Sequence, residues 1–405
     1  MAQLDPSRLA RIETWMQRYV HERKFPGCTV LIRHKGREAY YAEAGFHDVQ
    51  HGTAFSRDTI ARIYSMTKPI TSVALMTLIE EGLVRLDAPL SDFVPEFSRC
   101  HALIDDATRL DEVEPCTCPT LHQLLTHTSG LSYAFNAGLV PKAMEGRDIF
   151  FAPGQGPLAD LTAKLGALPL VFQPGRRWEY SVGIDVIGRV IEVITGKSLD
   201  HVFRERIFDP LEMTETAFSV PQGAVDRFAC LYTPLEGNAM ALGGSHWGAE
   251  SLRLVDRPET SAFLDATLFS GGGGLVGTID NYMRFAEMLR SGGLANSGRV
   301  LSPMSLNFMM RNHLPGEIAS MGPTSFAEQP MDGMGFGIGG AVVLDPARAR
   351  VPGSAGDFSW GGMASTFFWV DPVQDLSVVF FTQLSPSSSY SSRSELKALV
   401  HGALV

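Results

Sequence analysis

The residues of this chain that could do chemistry begin with a serine and a lysine three positions apart. They lie in Ile63-Tyr64-Ser65-Met66-Thr67-Lys68-Pro69-Ile70, which runs on into Val73, Ala74, Met76, Leu78 and Ile79 and reads as the start of a buried helix. A spacing of three puts Ser65 and Lys68 on one face of the first turn. Free N–H groups and partial positive charge at a helix start favour an alkoxide developing at Ser65. The same field suits Lys68 to work as a base through its free amine. The chemistry implied is nucleophilic attack by serine. Spacing alone is weak, because Ser-x-x-Lys recurs by chance. A second copy, Ser394 to Lys397, stands next to Arg393 and Glu395 and reads as the polar face of a terminal helix, with Ser394 a cap or surface residue.

Two further segments strengthen the first copy. Pro174-Gly175-Arg176-Arg177-Trp178-Glu179-Tyr180-Ser181-Val182 ends in a tyrosine just ahead of a strongly periodic helix. Phe358-Ser359-Trp360-Gly361-Gly362-Met363 leads into a strand-like run. With Ser65, these loci resemble, in order and across nearly the whole chain, the three motifs of the serine β-lactamase, DD-peptidase and family VIII carboxylesterase group. Leu124-Leu125-Thr126-His127-Thr128-Ser129-Gly130-Leu131 and the glycine run Gly271 to Gly274 fit the same pattern. The resemblance implies an α+β fold, an antiparallel sheet flanked by helices with a mostly helical lobe inserted. It implies Ser65 as the acylated nucleophile, Lys68 and Tyr180 as partners in proton transfer, and the backbone N–H groups of Ser65 and Met363 as the oxyanion hole. It requires neither metal nor organic cofactor.

Departures from the pattern bear on substrate. The tyrosine motif reads Tyr180-Ser181-Val182 where β-lactamases usually carry Tyr-x-Asn, so the amide that contacts the acyl side chain is replaced by Val182. The third motif reads Trp360-Gly361-Gly362 where they commonly carry Lys-Thr-Gly. The motif thus lacks the cation that would pair with a β-lactam carboxylate and offers an aromatic wall. The resemblance is closest to family VIII carboxylesterases. It implies a small neutral ester, with Trp360, Gly361, Gly362 and Val182 beside it. Amide hydrolysis, acyl transfer to an alcohol, and a catalytically silent binding protein are the rival readings.

Other patterns carry less. Gly335-Phe336-Gly337-Ile338-Gly339-Gly340 matches G-x-G-x-x-G but precedes a strand and opens no helix, the reverse of a dinucleotide site. Cys100, His101, Cys116 and Cys118 lack the spacing of a zinc knuckle. His127 near Ser129 has no G-x-S-x-G elbow around it and reads as a structural hydrogen-bond partner framing the pocket. Asp185 reads as a local acceptor.

The elements that must hold these residues follow from periodicity. Asp5-Pro6 opens a helix with Leu9, Ile12, Met16, Tyr19 and Val20 at helical spacing. Cys28–Arg33 and Glu38–Ala44 form a hairpin about Lys35-Gly36; Ser365–Val370 and Leu376–Thr382 form another turning at Asp371-Pro372. A helix from Gly183 to Thr195 is apolar at Val186, Ile187, Val190, Ile191 and Ile194 and can end at Gly196. A last helix runs roughly from Ser391 to Leu404. The implied division is an α/β lobe from residues 1–100 and 266–405, a helical lobe from 101–265, and a site between them.

With 405 residues, two lobes or one composite domain are expected. The net charge of −10 argues against nucleic acid or an anionic membrane as main partner. Five cysteines, an odd number in no framework spacing, read as reduced thiols. The N-terminal residues lack a secretory pattern, so a cytoplasmic enzyme acting on a small-molecule ester is the expectation.

Overall fold

The computed structural model describes residues 3–237, 246–248, 252–296 and 298–405. Helix α1 spans Pro6–His21; strands β1, β2 and β3 are Gly27–His34, Arg37–Asp48 and Thr53–Ala54; helix α2 is Thr67–Glu80. Helices α3 and α4 are Gly183–Thr195 and Ile279–Arg290. Strands β4 to β8 are Met334–Phe336, Ala341–Val343, Phe358–Gly361, Phe367–Asp371 and Leu376–Thr382, and α5 is Ser392–His401.

The eight strands form one sheet in the order β4-β5-β6-β7-β8-β1-β2-β3, antiparallel throughout. The two ends of the chain meet at its centre, where β1 pairs with β8 and Thr29 faces Phe381. The alternation of side chains does the layering. Val30, Ile32, Phe367, Trp369, Val378 and Phe380 face α1 and α5 in one core; Leu31, Phe368, Val370, Val379 and Phe381 face α2 and α4 in the other. Strand β8 is buried along its whole length, as both faces are covered.

Local chemistry sets the element ends. Asp5 caps α1 by accepting from the Ser7 N–H at 2.8 Å. Lys35 and Gly36, at φ 54° and 73°, make the tight primed turn of the first hairpin. Gly196 ends α3 in the left-handed region at φ 67°. In the second hairpin β7 begins at Phe367, two residues later than the sequence pattern predicts. Ser365 sits at φ 62° in the turn from β6, its hydroxyl donating to the Leu384 carbonyl at 2.7 Å.

Residues 101–265 carry helices at Leu121–Leu125, Leu139–Gly146, Leu158–Gly166 and α3, with short two-stranded pairs. The larger core runs without a break from Phe358 and Met66 to Val186 and Leu161. No described helix is long and apolar enough to cross a membrane.

Candidate active site

Ser65 lies in a single 3-10 turn, Tyr64–Met66, that feeds directly into α2. Tyr64 stands at φ 42°, a costly conformation for a bulky residue, and it turns the chain sharply ahead of the serine. The turn is pinned from below by the Tyr282 hydroxyl, which donates to the Met66 carbonyl at 2.9 Å. Every residue of α2 from Thr67 to Leu78 is buried, so Lys68 has no solvent around it. Its Nζ reaches three oxygens: Ser65 Oγ at 3.2 Å, Tyr133 Oη at 2.8 Å and the Gly272 carbonyl at 2.7 Å. The Tyr180 hydroxyl donates to Ser65 Oγ at 2.6 Å. The sequence-derived trio of Ser65, Lys68 and Tyr180 is therefore assembled from two distant segments.

Tyr180 is held on all sides. Asn136 Nδ2 donates to its carbonyl at 2.9 Å, and its ring packs against Phe326 at 4.9 Å, His127 at 4.9 Å, Tyr133 at 5.1 Å and Trp360 at 5.6 Å. His127 is buried, and its Nδ1 accepts the Ser181 N–H at 3.2 Å. Burial holds His127 well below the usual imidazole range. It is a neutral structural ring, as its sequence context indicated.

Trp360 lies in β6, stacked on Phe326 with 5.7 Å between centroids, and is 6% exposed. The next strand turn is tight: the Gly362 N–H donates to the Thr366 carbonyl at 2.7 Å. A Cβ on Gly362 would sit 2.3 Å from the Ile63 carbonyl, so glycine allows the third motif to press against the turn that carries Ser65. Ser65, Tyr180, Trp360, Gly361, Gly362 and Met363 all line one cavity of about 620 Å³. Phe135, Phe150, Phe151, Phe263 and Phe326 give the cavity a further aromatic lining.

Three sequence readings need correction. Val182 does not line the cavity. It stands just before α3, fully buried in the larger core, so its side chain packs inward and does not face substrate. The face of the terminal helix that carries Arg393 and Lys397 is buried rather than solvated. Lys397 is 4% exposed and pairs with the buried Asp357 at 2.8 Å, while Ser394 is half-buried and donates to the Ser391 carbonyl. Lastly, a cation does reach the third motif. Arg393 of α5 lines the cavity, and its guanidinium lies so close to Gly361 that a Cβ there would be 2.3 Å from Nη2. Glu328 answers that charge at 3.3 Å.

Asp185, read from the sequence as a local acceptor, and Tyr133, missed there, join the site. Asp185 accepts from Ser270 Oγ, from the Gly272 N–H at 2.9 Å and from Tyr133 Oη at 3.3 Å. Burial pushes its carboxyl up. Tyr133 follows the Thr126-to-Leu131 segment by two residues, and no spacing rule marks it.

The remaining motifs are accounted for structurally. The Gly335–Gly340 run forms the β4–β5 hairpin, and a Cβ on Gly340 would meet the Phe358 ring at 2.5 Å. Cys100 interacts with the Cys116 and Cys118 thiols, which draws Cys118 down to about 6. Among the described residues the three-ligand grouping that could hold a metal is Asp357, Asp371 and His401, and there Lys397 already supplies the cation.

Comparisons with known proteins identify the family. The family model described as Beta-lactamase matches residues 12–402. Protein Rv1367c of Mycobacterium tuberculosis is 36% identical over 372 residues, covering 90% of this chain and 87% of the relative. Esterase EstB of Burkholderia gladioli is 31% identical over 405 residues, covering 94% of each. The solved structure of EstCE1, a hydrolase with promiscuous acyltransferase activity, superposes with a TM-score of 0.79 at 28% identity, covering 98% of this chain and 99% of that one.

Proposed function

The chain belongs to the beta-lactamase family, with a penicillin-binding-protein/β-lactamase-like fold and the character of a serine hydrolase akin to family VIII esterases, and from that premise we propose that it is a carboxylesterase working through an acyl-serine intermediate on Ser65. The observation that carries the reading is the Tyr180 hydroxyl 2.6 Å from Ser65 Oγ with Lys68 Nζ 3.2 Å away, at the wall of an apolar cavity. Ser65 attacks the ester carbonyl and its proton passes into the Lys68–Tyr180 pair. The N–H groups of Ser65 and Met363 hold the oxyanion. The alcohol leaves with the returned proton, and water repeats the sequence on the acyl-enzyme. The substrate is a short-chain neutral ester, with cephalosporin cleavage minor. Trp360, Gly361 and Gly362 wall the acyl or alcohol group. The catalytic cavity lies between the terminal segments 1–100 and 266–405 and the inserted segment 101–265, both of which supply lining residues.

The test is a panel of chromogenic esters and β-lactams, with intact and peptide mass spectrometry to locate the trapped acyl group. An acyl adduct on Ser65 and an inactive, folded Ser65→Ala are expected. Turnover by folded Ser65→Ala would overturn the assignment.

A further inference from the structure

We propose that Tyr133 is a positioning residue that aims the Lys68 amine at Ser65, an inference that rests on the acyl-serine reading above. A lysine acting as base is unprotonated, with two N–H donors and one lone pair. Lys68 Nζ has three oxygen neighbours, of which the Gly272 carbonyl can only accept. Tyr133 Oη is also committed as acceptor, because its own hydrogen goes to Asp185 Oδ2 at 3.3 Å. Both donors of the amine are thereby taken by Tyr133 and Gly272. The lone pair is left facing Ser65 Oγ, the one neighbour with a proton to give.

The polarity of this arrangement is fixed from behind. Asp185 also accepts from the Gly272 N–H at 2.9 Å and from Ser270 Oγ. Gly272 thus donates to Asp185 through its nitrogen and accepts from Lys68 through its carbonyl. A Cβ on Gly272 would lie 2.1 Å from Asp185 Oδ2, so only glycine lets the chain pass this close. Tyr133 is buried, with its ring stacked on Phe135 at 4.7 Å and 16°, which leaves the phenol no alternative direction. Burial, with Asp185 beside it, keeps the phenol well above its ordinary range and therefore protonated as the donor this chain needs. The groups facing Lys68 are then Ser65, Tyr133, Tyr180, Asp185, His127 and Gly272.

The experiment is Tyr133→Phe, which keeps the ring and removes the acceptor. The acylation rate, read from the burst with an aryl ester, should fall roughly ten- to hundredfold, the scale of a hydrogen bond to a charged or reacting group. The substrate dissociation constant, read from the concentration dependence of the burst, and the melting temperature should change little. In a Lys68→Ala background the same substitution should cost under about twofold, since its route of action is already gone. An equal loss in both backgrounds, an unchanged acylation rate in the single variant, or a loss carried by the substrate dissociation constant overturns the proposal. Its failure is separable from that of the acyl-serine reading: a folded Ser65→Ala that still turns over ester removes the reading itself. An inactive Ser65→Ala beside a fully active Tyr133→Phe removes only the role of Tyr133.

Discussion

The Tyr180 phenol stands closer to Ser65 Oγ than the Lys68 amine does, 2.6 Å against 3.2 Å. The two groups approach Ser65 from different elements, Tyr180 just ahead of α3 and Lys68 on α2, and Lys68 lies 4.6 Å from the Tyr180 ring centre. Ser65 thus takes a hydrogen bond from Tyr180 while its own proton faces Lys68, so the three act as a unit. Lys68→Ala and Tyr180→Phe should each lower kcat about 10²-fold or more. The double variant should lose far less than the product of the two. Multiplicative losses in steady-state kinetics would show that the two do separate jobs.

The two Ser-x-x-Lys copies make a controlled comparison. In the second, Lys397 is matched to the buried Asp357, whose Oδ1 has no other partner among the described residues. Burial pushes the Asp357 carboxyl up, against the pull of Lys397. Lys397→Met should leave that carboxyl uncompensated and cost about 3–5 kcal/mol. Ser394→Ala, half-buried and bonded among the described residues only to the Ser391 carbonyl of its own first turn, should stay within about 0.5 kcal/mol. Denaturant melts measure both; an unchanged midpoint in Lys397→Met would show that the pair is dispensable to the fold.

What the sequence showed of this site, and what it hid, divides on physical lines. Ser65, Lys68, Tyr180 and Trp360 stand in local motifs, and a helix start or strand end leaves a pattern along the chain. The hairpins and α3 were legible because alternation and the 3.6-residue period are local too. Tyr133, Asp185 and Arg393 meet the site only through folding, over separations of 52 to 204 residues in the hydrogen bonds around Lys68 and Tyr133. Val182 misled for the opposite reason: its place in a motif said nothing of the side to which the chain turned. Lys397 and Arg393 looked solvated because charge reads as surface until a partner such as Asp357 or Glu328 is seen.

His127 predicts a pH dependence. Burial lowers its folded-state pKa below the ordinary value, so the unfolded chain binds a proton that the folded chain refuses. Between the folded value and about 6.5 the unfolded state carries more protons, and stability rises with pH in that window. Acidification from pH 7 should therefore lower the melting temperature before the carboxylates titrate. His127→Gln retains an acceptor for the Ser181 N–H, so it should flatten this slope while starting from a lower stability. An identical slope in the variant would assign the effect to other groups.

Trp360 and Glu328 together set the charge that a substrate meets. The third motif supplies an indole with a buried N–H that has no protein partner among the described residues. Beside it stands Arg393, whose charge is answered by Glu328. An anionic β-lactam entering this cavity meets a cation already paired, and an ion pair offers an incoming carboxylate much less than a free guanidinium does. A neutral aryl ester loses nothing by that pairing. It also gains from burial against Trp360 and Phe326, at roughly 25 cal/mol per Å² of apolar surface removed from water. The wild-type enzyme should thus prefer a butyrate-type aryl ester over a cephalosporin in kcat/KM. Glu328→Gln should raise the cephalosporin-to-ester ratio by leaving Arg393 uncompensated. Trp360→Lys should raise it as well, but at a cost to stability, because an ammonium would be forced among Phe326, Phe336 and Tyr180. The ratio of kcat/KM in the three proteins decides the matter. A wild-type enzyme that favours the cephalosporin by a wide margin would replace the ester reading with amide hydrolysis. A ratio unmoved by Glu328→Gln would show that Arg393 does not meet the substrate.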